Sequence, residues 1–92
     1  MALRTPVFTS PSEGSIQSKD GFTITGVGEP RTNVSIAETG VGHEFASVFC
    51  DENGHFSARI TLGHPETVSF TAQCRLANEY SEWSHSLRLN IQ

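Results

Sequence analysis

The sequence predicts an all-β protein, an antiparallel sandwich of two sheets with about seven strands. Apolar residues alternate repeatedly with polar ones, which is the period of a strand that buries one face. No window places apolar residues at the spacing of an amphipathic helix over three turns. Residues that favour turns close each alternating segment, and the segments recur about every 8–12 residues, as in β-sandwiches.

The predicted strands follow one another in short segments. In chain order they are residues 7–9, a segment marked by Phe22, Ile24 and Val27, a segment marked by Val34 and Ile36, and residues 45–50, 56–62, 68–76 and 87–91. Pro6 and Pro11 bound the first strand, and the polar residues 12–21 are expected to form a loop. Neither face of these segments is apolar throughout, so each sheet is expected to be buried on one side only.

The same alternation predicts which side chains form the core. The inward positions are Phe22, Ile24, Val34, Ile36, Val48, Phe56, Ile60, Phe70, Ala72, Leu87 and Leu89. A slip of one residue would turn a whole strand inside out, so these positions test the assignment of every strand.

The segment CDENGHF gives the sharpest turn signal. Asp51 can accept a backbone hydrogen bond at the first turn position, and Gly54 can supply the left-handed residue of a type I turn with a bulge. The segment is therefore expected to join the fourth and fifth strands as a hairpin.

Charge and composition exclude two classes of partner. The 92 residues have a formal net charge of −4, with one Lys, Lys19, and scattered Arg residues. Because phosphate binding needs clustered basic residues, no nucleic-acid partner is predicted. No apolar run approaches the length of a membrane span, so no membrane insertion is predicted. The length predicts one domain over residues 1–92, in which residues 1–5 are leader or linker residues.

No pattern in the chain indicates catalytic chemistry. The four histidines, His43, His55, His64 and His85, have no spacing that presents two of them to one metal. The sequence has no G-x-S-x-G nucleophile motif, and GVGEP lacks the third Gly and the Lys of a phosphate loop. The sequence therefore predicts no enzyme activity, no catalytic residue, no metal site and no cofactor.

Four acidic residues, Glu38, Glu44, Asp51 and Glu52, fall in or near two loops. They can simply keep the surface soluble. Alternatively, such carboxylates can hold a divalent cation between neighbouring domains of a tandem array.

The only Tyr and the only Trp, Tyr80 and Trp83, precede the last strand. In one interpretation they cover the open end of a thin core and set the turn. In the other they form a platform for a sugar or a protein, because exposed aromatic rings are common in such contacts. They are the candidate ligand-binding residues of this chain.

Three segments carry a family resemblance. PVFTSPSEGSIQSKDGFTITGVGEPRTNVSIAE begins with a Pro-hydrophobic strand and continues through a Gly-ended strand and GEP. FASVFCDENGHFSARITL contains a D-x-x-G-x-W/F-S turn with Phe56 in the aromatic place. TVSFTAQCRLANEYSEWSHSLRLNI is an alternating strand, an N-x-x-S-x-x-S turn and a last strand. In this order the segments resemble bacterial immunoglobulin-like repeats over nearly the whole chain, although Cys50 and Cys74 stand where small residues are typical.

This resemblance implies an immunoglobulin-like sandwich that works as a spacer or stalk in tandem arrays of adhesin-type proteins. It also implies a secreted or cell-surface location, with neighbouring immunoglobulin-like domains of the same chain as partners, besides a host-surface protein or a carbohydrate. The alternative is a carbohydrate- or protein-binding module, similar to a fibronectin type III domain or a phage tail accessory domain. The segment YSEWS fits the S-x-W-S of fibronectin type III modules, whereas FTITG lacks the Trp of their second strand.

The two cysteines, Cys50 and Cys74, are predicted to form a disulfide. The fourth and sixth strands run in the same direction, and alternation turns both side chains inward. On the chain-entropy model, closing this loop would stabilise the fold by about 3–4 kcal/mol. The alternative is a pair of reduced, buried thiols that act as small apolar side chains.

Overall fold

The computed structural model describes residues 3–41 and 43–92, and this part of the chain contains strands but no helix. The strands are β1 (Val7–Ser10), β2 (Ile16–Gln17), β3 (Phe22–Val27), β4 (Asn33–Glu38), β5 (Glu44–Phe49), β6 (His55–Ile60), β7 (Glu66–Leu76), β8 (Glu79–Tyr80) and β9 (Leu87–Ile91). It follows that none of the described residues belongs to a helix that could cross a membrane.

The strands form two facing sheets. The first sheet has the order β1-β3-β6, and the second has the order β2-β9-β7-β4-β5, with β8 paired to the end of β7. All pairings are antiparallel except that of β2 with β9. The all-β sandwich predicted from the sequence is confirmed.

All seven predicted strands are present, and two short strands are added. β2 lies within residues 12–21, so the prediction of a loop for the whole of that segment is wrong. Its pairing with β9 uses backbone groups, and Ile16 remains 64% exposed, so no apolar alternation marks it. β8 is equally short and has both residues exposed.

The core lies between the two sheets where the alternation predicted it. Ten of the eleven predicted core residues are buried, and Val48, on the edge strand β5, is half-buried. At the centre, the rings of Phe22 and Phe45 both pack against Phe70, with centroid separations of 6.0 and 5.0 Å. The alternation therefore predicted correctly which residues of β3–β7 and β9 point into the core.

The CDENGHF turn has the expected local geometry but does not form a hairpin. Gly54 has a φ of 82°, and its N–H donates to the carbonyl of Asp51 at 3.0 Å. Beyond a bond from the Asp51 N–H to the His55 carbonyl, no ladder forms, because β5 pairs with β4 and β6 pairs with β3. The turn carries the chain from one sheet to the other, which turn chemistry alone does not reveal.

The two cysteines are buried, inward-facing and free, so the predicted disulfide is not formed in the structure. Strand order gives the reason, because β4 lies between β5 and β7. The N–H of Cys50 donates to Thr32 on one side of β4, and Cys74 pairs with Val34 on the other. Two strand spacings of about 4.8 Å separate the Cα atoms by more than the roughly 7 Å that a disulfide tolerates.

The first and last described residues lie towards opposite poles of the sandwich. At the entry pole, Leu3 packs against the core and the Arg4 N–H donates to the Glu29 carboxylate at 2.8 Å. That residues 1–5 are leader or linker residues stays a prediction. Met1 and Ala2 lie outside the described residues. At the exit pole, the Gln92 carbonyl accepts from Lys19 at 2.9 Å. The long axis between the poles is 40 Å.

Candidate functional site

The segment before β9 is held against β7 by two serines, Ser81 and Ser84, which we call the serine clamp. Ser81 bonds both backbone groups of Cys74, since its N–H donates to the Cys74 carbonyl and its Oγ accepts from the Cys74 N–H, each at 2.9 Å. Ser84 does the same for Ala72, at 2.8 and 2.9 Å. Each hydroxyl therefore takes the place of a carbonyl that a regular strand would offer.

The clamp explains the three-residue spacing of its serines. On β7 the clamped residues, Ala72 and Cys74, are two apart, whereas the serines that bond them are three apart. The extra residue prevents a regular ladder and turns the intervening residues away from the sheet. Accordingly Ser81 and Ser84 are buried, and Trp83 between them is 44% exposed.

Trp83 lies at the wall of a depression on the outer face of the second sheet. The depression holds about 420 Å³ and is lined by Ala37, Glu38, Thr39, Gly40, Thr71, Trp83 and Ser84. Ala37 and Thr71 face each other across β4 and β7, and both are buried although they point away from the core. The depression therefore brings the partly exposed Trp83 ring beside a floor of small side chains.

Tyr80 lies nearby on β8, opposite Arg75 of β7. The Arg75 guanidinium is 5.8 Å from the centre of the Tyr80 ring, within the range of a cation–π contact. The Arg75 Nε–H also donates to Gln73, whose amide donates in turn to the Ser81 carbonyl. This network holds the Tyr80 ring in place although the residue is 61% exposed.

Neither aromatic residue belongs to the buried core, so the interpretation that they close its open end is wrong. The buried members of the segment are its serines. Sequence reasoning noticed the N-x-x-S-x-x-S pattern but assigned its importance to the aromatic residues. The hydroxyl spacing was the signal that could have identified the clamp. A ligand at Tyr80 and Trp83 stays a prediction.

The histidines and acidic residues do not form one site. All four histidines are exposed. His43 and His64 line a depression at the exit pole together with three carboxylates, those of Glu38, Glu44 and Glu66, and His64 contacts Glu66. Within residues 3–41 and 43–92, no three His, Cys, Asp or Glu side chains are placed to hold a metal. Asp51 and Glu52 lie at the other end of β5, so a cation between domains stays a prediction.

A wider depression of about 610 Å³ lies over the first sheet, between β5 and β6, and includes Asp51 and His55. The Asp51 carboxylate accepts the N–H groups of Asn53 and His55, each at 2.9 Å. These bonds, chiefly that from His55, hold the pKa of Asp51 below its usual value. The carboxylate is therefore ionised and committed to the turn, which leaves it poorly suited to general acid–base chemistry.

Comparison with known proteins identifies the fold. No protein-family model matches the sequence, and no curated protein matches it. Among solved structures, fibronectin(III)-like modules of Clostridium thermocellum CbhA match with a TM-score of 0.72 at 15% identity, over 95% of this chain and 94% of that one. A chain from the crystal structure of Dpr1 IG1 bound to DIP-eta IG1 matches with a TM-score of 0.51 at 11% identity, over 97% of this chain and 95% of that one. The chain has an immunoglobulin-like fold. At these identities the likeness shows the fold alone.

Proposed function

We propose that this domain is a non-catalytic spacer module of a secreted or surface-attached bacterial multidomain protein. The observation that carries the proposal is that Arg4 and Gln92, near the two ends of the described chain, make their contacts at opposite ends of the sandwich, whose long axis is 40 Å. Modules joined through such ends extend an array by the full length of each sandwich. The match to fibronectin(III)-like modules of a bacterial protein over nearly the whole of both chains supports the same role.

The environments of the two thiols and of the Ser81 and Ser84 hydroxyls support a non-catalytic role. Both thiols are buried, and burial raises the pKa of Cys50 above its usual value, which disfavours the nucleophilic thiolate. The hydroxyls of Ser81 and Ser84 are occupied by backbone bonds. Hydrolysis of ester, glycoside or phosphate substrates at enzyme-like rates, abolished by one His or Ser substitution, would contradict this part of the proposal.

A spacer must resist tension applied through its two ends, which single-molecule pulling can measure. We expect one cooperative unfolding step that lengthens the chain by about 270 Å, the difference between an extended chain and the 40 Å folded axis. The parallel β2–β9 pair lies near the exit and would be loaded in shear. Because Gln17 turns its backbone groups towards β9, Gln17→Pro, which removes the N–H on that side, should lower the unfolding force. Gradual extension without a step would contradict the spacer role.

The second candidate function is a binding module for a carbohydrate or a protein. It is favoured by the exposure of Tyr80 and Trp83 and by the depression beside Trp83. The neighbour solved as one immunoglobulin domain bound to another supports a protein partner. Because Trp83 is the only Trp, its fluorescence reports directly on this face during screening of glycans and proteins. Binding that Trp83→Ala abolishes and Ser86→Ala preserves would establish it.

A further inference from the structure

The strand β5 is the exposed edge of the second sheet. At the opposite edge, residues 14–19 run along β9, where Asn90 and Gln92 donate to the carbonyls of Ser15 and Gln17 at 3.0 and 2.9 Å. In the first sheet, β1 has four residues between two prolines, and β6 carries Arg59. Prolines, short strands and cationic side chains are the devices that keep edges from pairing. β5 has six residues, none of them Pro, Lys or Arg.

The hydrogen-bond alternation shows which groups of β5 face outward. The Cys50 N–H donates to Thr32, and the register pairs Phe49 with Asn33, Val48 with Val34 and Ser47 with Ser35. Because bonded and non-bonded pairs alternate along an antiparallel ladder, Val48 bonds to β4. Ser47 and Phe49 then direct their N–H and C=O groups to the free edge. These four groups are spaced to receive one more strand.

The side chain of Phe49 adds an apolar contact at the same edge. It is 62% exposed and borders the depression of about 610 Å³ that extends over β6 and β3. A strand placed beside β5 would cover part of this ring. The surface therefore combines main-chain groups with one apolar anchor, the combination that strand addition uses.

The acidic residues at the two ends of β5 favour binding of a strand with basic ends over pairing with a second copy of β5. Glu38 and Glu44 lie at its beginning, and Asp51 and Glu52 follow its end. In antiparallel pairing of two copies through β5, Glu44 of each would approach Asp51 and Glu52 of the other, and like charges destabilise such contact. A strand with Lys or Arg at both ends would meet Glu44 at one end, where the carboxylate also accepts from Ser35, and Asp51 and Glu52 at the other, where Arg31 lies 4.0 Å from Glu52.

We propose that the free edge of β5 binds an extended peptide segment with an apolar, β-branched centre and basic residues at both ends. The bound segment hydrogen-bonds the main chain of Ser47 and Phe49, packs on the Phe49 ring and pairs its basic ends with the carboxylates. The register places the Phe49 ring on the same face of the second sheet as Tyr80 but three strands away, so the two surfaces can be tested separately.

The probe for the test is the synthetic peptide KRTVTVTRK, added to the ¹⁵N-labelled domain while amide hydrogen exchange is followed residue by residue. We expect exchange at Ser47 and Phe49 to slow several-fold, and that at Val48 to stay unchanged because its N–H already bonds β4. The same peptide N-methylated at alternate residues, and the charge-reversed peptide EETVTVTEE, should both bind much more weakly.

Two protein variants make the test specific to the edge. Ser47→Pro removes one outward N–H without touching the ladder to β4, since edge strands tolerate Pro where the N–H faces solvent. It should weaken binding, whereas Ser47→Thr should not. If Ser47→Pro does not fold, the N-methylated peptide still decides the matter. Unchanged exchange at Ser47 and Phe49, equal binding of the methylated peptide, perturbation confined to Trp83, or protection through dimerisation of the free domain would each overturn the proposal.

Discussion

Gly54 shows how one residue can fix the passage between two sheets. Its φ of 82° is favoured for glycine, and a Cβ there would lie 2.8 Å from the Gly28 carbonyl oxygen, which is backbone and cannot move aside easily. The Gly28 N–H in turn donates to the Gly54 carbonyl at 2.8 Å, so the turn and the end of β3 are joined at this point.

Gly54→Ala is expected to destabilise the domain by more than about 1 kcal/mol, because it combines backbone strain with a backbone clash. Gly63 is the matched control, since it has a φ of 81° and open space around its Cβ position. Chemical denaturation should show Gly54→Ala to be clearly less stable than Gly63→Ala. Equal stabilities would mean that the contact with Gly28 is unimportant.

Asp51 is expected to make the stability depend on pH in the acid range. Its pKa in the folded protein is lowered, chiefly by the N–H of His55, so its contribution is present above the ordinary Asp pKa near 3.8 and is lost as the pH falls through the folded value. Asp51→Asn keeps an acceptor oxygen but no charge. Thermal melting should show the variant to be less stable than the wild type at pH 6, with the gap closing below pH 3.8. A gap that stays constant with pH would contradict this.

At the scale of elements, β7 joins the two halves of the second sheet, and its two sides are paired differently. One side of β7 bonds β4 at residues 70–75, while the other bonds β9 first, then the serine clamp and β8. Because the clamp uses hydroxyl oxygens, its loss leaves the buried N–H groups of Ala72 and Cys74 without acceptors.

Ser81→Ala and Ser84→Ala are each expected to cost about 1–3 kcal/mol of unfolding free energy, the range for leaving a buried donor unsatisfied. Ser86→Ala is the control, because Ser86 is exposed in the same stretch of chain. Urea denaturation of the three variants compares them directly. If both clamp variants unfold at the same urea concentration as Ser86→Ala, the hydroxyls do not hold the segment.

The strand order predicts that Cys50 and Cys74 remain thiols, since β4 separates the strands that position them. Thiol titration of the denatured, unreduced protein should find both thiols, as in a sample reduced beforehand. Loss of both thiols in the unreduced sample would show that a bridge forms, and that the two strand ends approach more closely than the sheet allows.

These elements also show where sequence reasoning succeeds and where it stops. Alternation predicted the faces of the main strands because burial on one side imposes it, as on β7 from Val68 to Cys74. It missed β2, which pairs through its backbone while Ile16 stays exposed. The turn at Gly54 was predicted, but whether it joins strands of one sheet or of two depends on distant pairings. For the same reason, the disulfide could not be judged without knowing which strand lies between the cysteines.

At the scale of the whole molecule, the domain is a short rod whose surface has distinct regions. Arg4 and Gln92 lie towards the two poles, the edge of β5 lies along one side, and Tyr80 and Trp83 lie on the outer face of the second sheet. End-to-end connection in an array would leave the side and the outer face accessible. A spacer role is therefore compatible with binding at either surface.

The spacer role is tested most directly by small-angle X-ray scattering from three copies of the domain joined end to end. If the poles carry the connections, the maximum dimension should approach three times the 40 Å long axis of one domain. It should also change little when Trp83→Ala is introduced in every copy. A compact particle, with a maximum dimension close to that of a globular cluster of three domains, would contradict the account.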